Sequence, residues 1–364
     1  MQICCTKKLQ EQLGIVIQDG IEGNDLFCWS AHLITVKRRK TIVVVNDSNR
    51  FGFIFYGLKV KDFKYFNALI LQGIRNCLED EKIKDEIIEQ YLKAAGELRF
   101  TKTRGRGYVA RLNKACELAA LCEEKFDSSN LFQVMATRII NNDLIKIDKQ
   151  SGYEYLYEWL HRDLRKCYGE SIIKCEAVTL IIKLDLGSYC AQRVIIVPVD
   201  INFRQLHEIL QVVFDWKNYH LHGFNIFDEE GLCQINIVCD YEEDEAPHPD
   251  LRMTVGSEVK LLSYADKQYK INYCYDYGDS WEHEITIQDI NADYDKNYPI
   301  CIMGEGNAPP EDVGGIPGFE VFLEIMADPS HVEYKNTKEW VSGQRYKDLD
   351  IDLVNRRLKN ILRR

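Results

Sequence analysis

Apolar β-branched runs dominate residues 1–60. Leu33-Ile34-Thr35-Val36, Thr41-Ile42-Val43-Val44-Val45 and Phe51-Gly52-Phe53-Ile54-Phe55-Tyr56 predict strands, with Asn46-Asp47-Ser48-Asn49 as the turn between the last two. From residue 62 the rhythm changes. Phe63, Phe66, Leu69, Ile70, Ile74 and Leu78 recur at three or four positions, the period of a helix. Asp85 to Leu92 continues as a further helix. The basic glycine loop Thr101-Lys102-Thr103-Arg104-Gly105-Arg106-Gly107 leads into a helix from about Tyr108 to Lys125. A polar turn at Asp148–Gly152 marks a domain boundary, and Tyr153 to Cys167 predicts a connecting helix.

The second half opens with two long strands, Ala177–Leu184 and Arg193–Val199. Asn202 and Gln205 have capping-box spacing, and Phe203, Leu206, Ile209, Leu210 and Val213 trace one face of the helix that follows. Strands are expected near Gly223–Phe227, Gln234–Val238, Tyr269–Tyr277 and Trp281–Ile287, and late helices at Phe319–Met326 and Asp352–Leu362. The pattern predicts a mixed α/β (α+β) protein of two domains, each a mixed sheet with packed helices. These are a domain over 1–150, a connecting helix over 151–174 and a second domain over 175–364.

Composition narrows the picture. The hydrophobic fraction of 46% and charged fraction of 28% describe a globular protein. No apolar run approaches the ~20 residues that span a bilayer. The 13 cysteines are scattered, without a Cys-x-x-Cys pair, and read as buried thiols of a cytoplasmic protein. The net charge of −11 is uneven, with about +5 over residues 1–150 and about −16 over 151–364. The acidic half repels a phosphate backbone unless a bound cation reverses the local sign.

Three polar clusters in that half exceed what turns require: His220-Leu221-His222, Tyr275-Asp276-Tyr277-Gly278-Asp279-Ser280-Trp281-Glu282-His283 and Pro309-Pro310-Glu311-Asp312-Val313-Gly314-Gly315. Strand period places His220 and His222 on one face with Leu221 toward the core; they either ligate a metal or join a hydrogen-bond network beside Trp216. Asp276 and Asp279 flank a hairpin turn. Close carboxylates repel unless one is protonated or a cation lies between them. Alternatively Asp279 only forms the turn and Asp276 pairs with Arg193. Glu311 and Asp312 lie on a proline-stiffened loop that suits either a ligand or a helix N-terminus. The expectation is convergence on one divalent-metal site. Its ligands would be Asp276, Asp279, His222, Glu311 and Asp312, with Mg²⁺ or Mn²⁺ ahead of Zn²⁺. His283 or His220 would act as general acid or base beside Asp279, and Tyr275, Tyr277 and Trp281 would stack on substrate. In the first half Lys37 to Lys40 is most simply a solvated hairpin turn; alternatively Lys37, Arg39, Lys40, Lys102, Arg104, Arg106 and Arg111 form a phosphate-binding patch. Trp29 and His32 either stack on a base or fill the core, with the core the favoured reading. The acidic run from Asp240 to Asp250, with His248, reads as a solvated loop.

The C-terminal half resembles the plasmid pRiA4b ORF-3-like family. The resemblance rests on Leu206-His207, Trp216, Asn218, His220-Leu221-His222-Gly223-Phe224, the Tyr-Asp-Tyr-Gly-Asp-x-Trp-x-His hairpin, the Pro-Pro-Glu-Asp-x-Gly-Gly loop and Ala327-Asp328-Pro329-Ser330-His331. Many members carry cysteines where this chain has Ala308 and Val313. The N-terminal half resembles the uncharacterised bacterial family called domain of unknown function 6933. Its matching residues are Cys5-Thr6-Lys7-Lys8-Leu9, Trp29-Ser30-Ala31-His32-Leu33, Asn46-Asp47-Ser48-Asn49-Arg50 and Ala110-Arg111-Leu112-Asn113-Lys114. The genes such families accompany imply mobile-element or phage-defence biology. The leading expectation is a metal-dependent enzyme acting on nucleotides or single-stranded nucleic acid, by phosphoryl or nucleotidyl transfer or phosphodiester hydrolysis. The alternative is a non-catalytic module that senses a nucleotide or bridges a protein partner from the same operon.

Overall fold

The structure, a computed structural model, describes residues 1–146, 152–238, 253–344 and 346–363. The acidic run 240–250 and the turn at 148–151 lie outside the described residues. Two compact units are present, Met1–Lys174 and Cys175–Leu362.

In the first unit the strands are β1 (Gln2–Cys5), β2 (Cys28–Val36), β3 (Arg39–Asn46), β4 (Gly52–Tyr56) and β5 (Arg99–Lys102), in the order β4-β3-β2-β1-β5. β2, β3 and β4 form an antiparallel meander, and β1 runs parallel to β2 and β5. Its helices are α1 (Lys7–Leu13), α2 (Val60–Phe63), α3 (Phe66–Asp80), α4 (Asp85–Ala95), α5 (Arg106–Leu121), α6 (Val134–Asn141) and α7 (Leu156–Tyr168), and a short ladder pairs β6 (Leu144–Lys146) with β7 (Tyr153–Tyr155). The run Thr41–Val45 is apolar throughout because β3 is covered on both faces. Ile42 and Val44 face α3, α4 and α7, where Ile70, Ile74, Ile88, Tyr91, Leu160 and Leu164 pack. Val43 and Val45 face Leu112, Cys116 and Ala119 of α5 and Ala136 and Ile140 of α6. The helix expected as a connector is therefore α7, part of the first unit's core.

The second unit is an antiparallel sheet with one parallel edge pair. Its strands are β8 (Cys175–Leu186), β9 (Tyr189–Pro198), β10 (His222–Phe227), β11 (Cys233–Val238), β12 (Met253–Val255), β13 (Lys270–Tyr275), β14 (Trp281–Tyr294) and β15 (Ile300–Glu305). Among the described residues their order is β12-β11-β10-β13-β14-β8-β9-β15. One face is buried, so the strands alternate: Trp281, His283, Ile285 and Ile287 point inward, while Glu282 and Glu284 face out. The inner face is covered by α8 (Phe203–Val213), α9 (Gly315–Ala327) and α11 (Ile351–Leu358), with α10 (Tyr334–Ser342) between the last two in sequence. The predicted capping box starts α8: Asn202 Oδ1 accepts from Gln205 N–H at 2.9 Å and Gln205 Oε1 from Asn202 N–H at 3.0 Å. β15 and α10 were not expected; Ile302 and Met303 are exposed on the edge strand β15, which blurs its alternation.

Arg193 is buried in β9 without a carboxylate partner among the described residues. It donates instead to the carbonyls of Val213, Gln192, Glu305 and Gly306 at 2.8–2.9 Å, and its face lies over the Phe214 ring. The alternative pairing of Arg193 with Asp276 is thus not realised. Burial lowers its pKa to about 10.

Helix and sheet approach closely at Gly73 of α3. A Cβ there would lie 2.4 Å from a Phe53 ring carbon and 2.6 Å from one of Phe55. Both rings are fully buried, so neither can give way without repacking. Gly73→Ala is expected to destabilise the first unit by about 1–3 kcal/mol, the usual cost of overpacking, read as a lower denaturation midpoint in urea.

Candidate functional site

The three polar clusters of the second unit do meet. Asp276 follows β13 and opens the five-residue turn before Trp281. Its Oδ1 accepts from the backbone N–H of Gly278 at 2.9 Å and of Asp279 at 3.3 Å, the local hydrogen bonding that Asp supplies to turns. Its other oxygen, Oδ2, is 3.5 Å from His220 Nε2. Asp279 reaches across to the diproline loop, where its Oδ2 accepts from Gly314 N–H at 3.1 Å. Gly315 makes the approach feasible: at φ 68, a Cβ there would be 3.0 Å from the Asp279 carbonyl oxygen.

The diproline loop delivers Glu311 and Asp312. Glu311 is 2% exposed. Its Oε1 accepts from Lys217 N–H at 2.7 Å and from the Tyr275 hydroxyl at 3.2 Å. Burial raises the Glu311 pKa, against the opposing pull of these donors and of His220. The same Tyr275 hydroxyl accepts from Tyr219 N–H at 3.1 Å. Trp216 stacks on the Tyr275 ring, with centroids 4.8 Å apart, and donates its indole N–H to the Pro309 carbonyl at 3.0 Å.

His220 projects into the centre of this knot. Its Nε2 lies 3.2 Å from Asp312 Oδ1, 3.5 Å from Asp276 Oδ2 and 3.7 Å from Glu311 Oε2. That nitrogen is itself buried and has no hydrogen-bond partner. One ligand atom from each of His220, Asp276 and Asp312 fits within 4.8 Å of the others. Neighbouring oxygens of an octahedral Mg²⁺ or Mn²⁺ shell are about 3 Å apart, so the spacing suits a small hard cation after slight contraction.

His222 goes elsewhere. β10 starts at His222, so the expected shared strand face does not extend back to His220, and Leu221 is 47% exposed rather than in the core. The His222 ring stacks on His207 of α8 at 3.4 Å and 3°. His207 Nδ1 contacts the Tyr273 hydroxyl at 2.7 Å and its Nε2 contacts Asn218 Oδ1 at 2.8 Å. Burial, with a smaller contribution from His207, holds His222 down at a pKa of about 2. His222 is therefore a neutral wall and not a member of the carboxylate cluster. His207, His220 and His222 line a cavity of about 450 Å³ together with Phe203, Tyr219 and Phe224.

Three further expectations are corrected by burial. His283 is 1% exposed; its Nδ1 lies 3.0–3.1 Å from the Trp281 and Tyr273 carbonyls, and Phe214 and Trp216 enclose the ring. Burial depresses its pKa to about 4, and a sealed imidazole cannot exchange protons with a substrate. Trp281 and Tyr275 are fully buried and offer no face for stacking; Tyr277, 47% exposed, is the ring of the three that remains accessible. His207 was missed as a functional residue. Its signal was a polar residue four positions after Phe203, on the buried stripe of α8.

The basic residues of the first unit divide into groups. Lys37 and Arg38 form the β2–β3 hairpin tip, and Arg39 and Lys40 join Lys59 and Lys61 around an open cleft of about 830 Å³. The far end of that ladder, where Trp29 pairs with Asn46, leads to Asp47. There Arg104 contacts Asp25 at 2.5 Å and Asp47 at 3.4 Å, and Arg111 donates to the Asp47 carbonyl. Lys102 ends β5 and Arg106 starts α5, both exposed. A single phosphate patch is therefore not formed, because the length of β2 separates its halves.

Residues 176–357, which carry the whole cluster, match the family described as plasmid pRiA4b ORF-3-like protein. The chain belongs to this family. Residues 2–158 match the domain of unknown function DUF6933. The chain is 35% identical over 170 residues to the uncharacterized protein y4hQ of Sinorhizobium fredii, covering 46% of this chain and 82% of y4hQ. It is also similar to the crystal structure of MM3350, a protein of unknown function from Methanosarcina mazei Go1, at 30% identity and a TM-score of 0.40, over 48% of this chain and 96% of that one. In this pRiA4b ORF-3-like half the left-handed non-glycine residues are Asp215, Asn218, Asp276, Ser280 and Asp312, with φ 57–59. Among the described residues of the unit, all lie in the segments that build the cluster. Such conformations cost energy and persist where the surroundings enforce them.

The depressed imidazoles give the unit a defined pH response. His222 and His283 stay neutral when folded but take up protons near pH 6.5 when unfolded. Their stabilisation is complete above that pH. It falls as pH drops toward their folded values, by about 1.4 kcal/mol per pH unit for each group. His222→Phe keeps a flat ring against His207 and removes one titrating group. Its stability, from urea unfolding between pH 6.5 and 5, is expected to fall less steeply by about that amount; an unchanged slope contradicts the assignment.

Proposed function

We propose that the second unit is a divalent-cation-dependent enzyme acting on phosphate esters of nucleotides or single-stranded nucleic acid. The observation that carries this reading is the His220 Nε2, buried and without a hydrogen bond, facing three carboxylates from two other segments. Uncompensated carboxylates at such spacing repel, and a cation among them removes the conflict. His220, Asp276 and Asp312 would be its direct ligands. The oxygen-rich donor set favours Mg²⁺ or Mn²⁺, with Zn²⁺ next because of the imidazole. A cation here would neutralise phosphate charge and lower the pKa of an attacking water.

The remaining residues divide the other tasks. Glu311 is buried and fully engaged by Lys217 and Tyr275, which makes it the group that fixes the loop. Asp279 is half-buried, and its Oδ2 is held by Gly314. We assign it the proton taken from the attacking nucleophile. The cavity beside His220, walled by Phe203, Tyr219, Phe224 and the neutral His222, has the size and flat aromatic lining suited to a nucleobase. The same cavity favours a second reading, a non-catalytic nucleotide sensor, in which binding survives removal of metal.

Calorimetric titration of the full chain with Mn²⁺ is expected to give one saturable site. His220→Ala, Asp276→Asn and Asp312→Asn should each weaken it at least about tenfold, while Asp279→Asn retains the metal and loses turnover of a nucleotide or oligonucleotide panel. Absence of saturable Mn²⁺, Mg²⁺ and Zn²⁺ binding sinks both the site and the enzyme. Metal-independent nucleotide binding without turnover selects the sensor.

A further inference from the structure

The first unit holds a cavity of about 230 Å³ that none of the chemistry above uses. One wall is apolar, formed by Leu118 of α5, Ile140 of α6 and Leu156 of α7. The other carries Arg50, Arg111 and Lys114. Asp143 is the acid in the lining, and it already pairs with Lys114. Three cations against one carboxylate leave a surplus of two positive charges.

Neither guanidinium is neutralised. Among the described residues no carboxylate pairs with Arg50 or Arg111. Arg111 donates to the Asp47 carbonyl at 3.0 Å and lies over the Tyr108 ring. Arg50 lies over the Trp159 ring, with its carbon 5.4 Å from the centroid. The Arg50 Nε is buried and has no hydrogen-bond partner, a vacancy that ordinarily costs about 1–3 kcal/mol. Burial and then the nearby charge of Arg111 lower the Arg50 pKa, against a smaller opposing pull from Asp143. The backbone enforces this placement. Arg50 ends the Asn46–Arg50 turn at φ 64, where its N–H donates to the Asn46 carbonyl at 3.0 Å. A bulky side chain in that conformation is uncommon, so the turn aims the guanidinium at some local cost.

We propose that this cavity binds an organic phosphate monoester, its head between Arg50 and Arg111 and its apolar group along Leu118, Ile140 and Leu156. The surplus charge matches a phosphate dianion. Planar guanidinium donors match pairs of phosphate oxygens, and Lys114 adds a point charge at the rim. Inorganic phosphate leaves the apolar wall uncovered, and a carboxylate leaves half the charge unmet. The inference is independent of the metal reading, because it uses no residue of the second unit.

The full chain is titrated calorimetrically with hexyl phosphate, hexanoate and inorganic phosphate. Hexyl phosphate is expected to bind saturably and at least about tenfold tighter than either competitor, and Arg50→Gln and Arg111→Gln each to lose about tenfold or more. A second measurement needs no variant. Hexyl phosphate should protect Lys114 of the wild-type chain from an amine-acetylating reagent, read by peptide mass spectrometry. Absence of saturable binding, equal affinity for hexanoate, or an unprotected Lys114 overturns the proposal.

Discussion

A carboxylate buried to the depth of Glu311 is tolerated only when donors surround it, and the donors it recruits tie three remote segments together. Lys217 contributes a backbone N–H just after α8, Tyr275 a hydroxyl from the end of β13, and the diproline loop the acid itself. Tyr275 extends the chain of bonds to Tyr219, beside His220. Removing any one link leaves a polar group stranded in the core. This mutual dependence, rather than any single strong bond, holds His220, Asp276 and Asp312 together. Asp279 adds a clasp between hairpin and loop on the outer side.

Much of this was legible in the sequence. Alternation along Trp281–Ile287 located the buried face, the Asn202–Gln205 spacing located the start of α8, and the three polar clusters did converge. Sequence could not separate two histidines only two positions apart. Their fates diverge because β10 begins at His222, and strand period says nothing about a residue in the preceding loop. Nor could it tell that His283 and Trp281, apt for chemistry by residue type, would serve as filling. A strand that alternates cleanly buries whatever occupies its inner positions, and here those positions included an imidazole and an indole. His207 was hidden for the opposite reason: it lies on an apolar helical stripe, where a histidine reads as core until its partner on the sheet is known.

The first unit teaches a complementary lesson about charge. Its positive balance suggested one anion-binding surface, but clustering in sequence is not clustering in space. The nine residues of β2 separate the hairpin-tip cations from those around Asp47. One of the latter, Arg104, is already occupied by two aspartates, whereas Arg111 meets only a carbonyl and a ring and keeps its charge. Net charge describes what a surface attracts at long range; side-chain partners decide which cations are left to bind.

The five left-handed residues around the cluster carry a consequence for how this half of the chain can drift over time. On the strands many hydrophobic replacements preserve the fold. At Asp276 and Asp312 the backbone is accepted most readily by aspartate, asparagine and glycine. Of those, aspartate alone brings a full negative charge. Loop shape and local charge are thus encoded by the same letters, so asparagine or glycine at either position keeps the bend while it discharges the cluster.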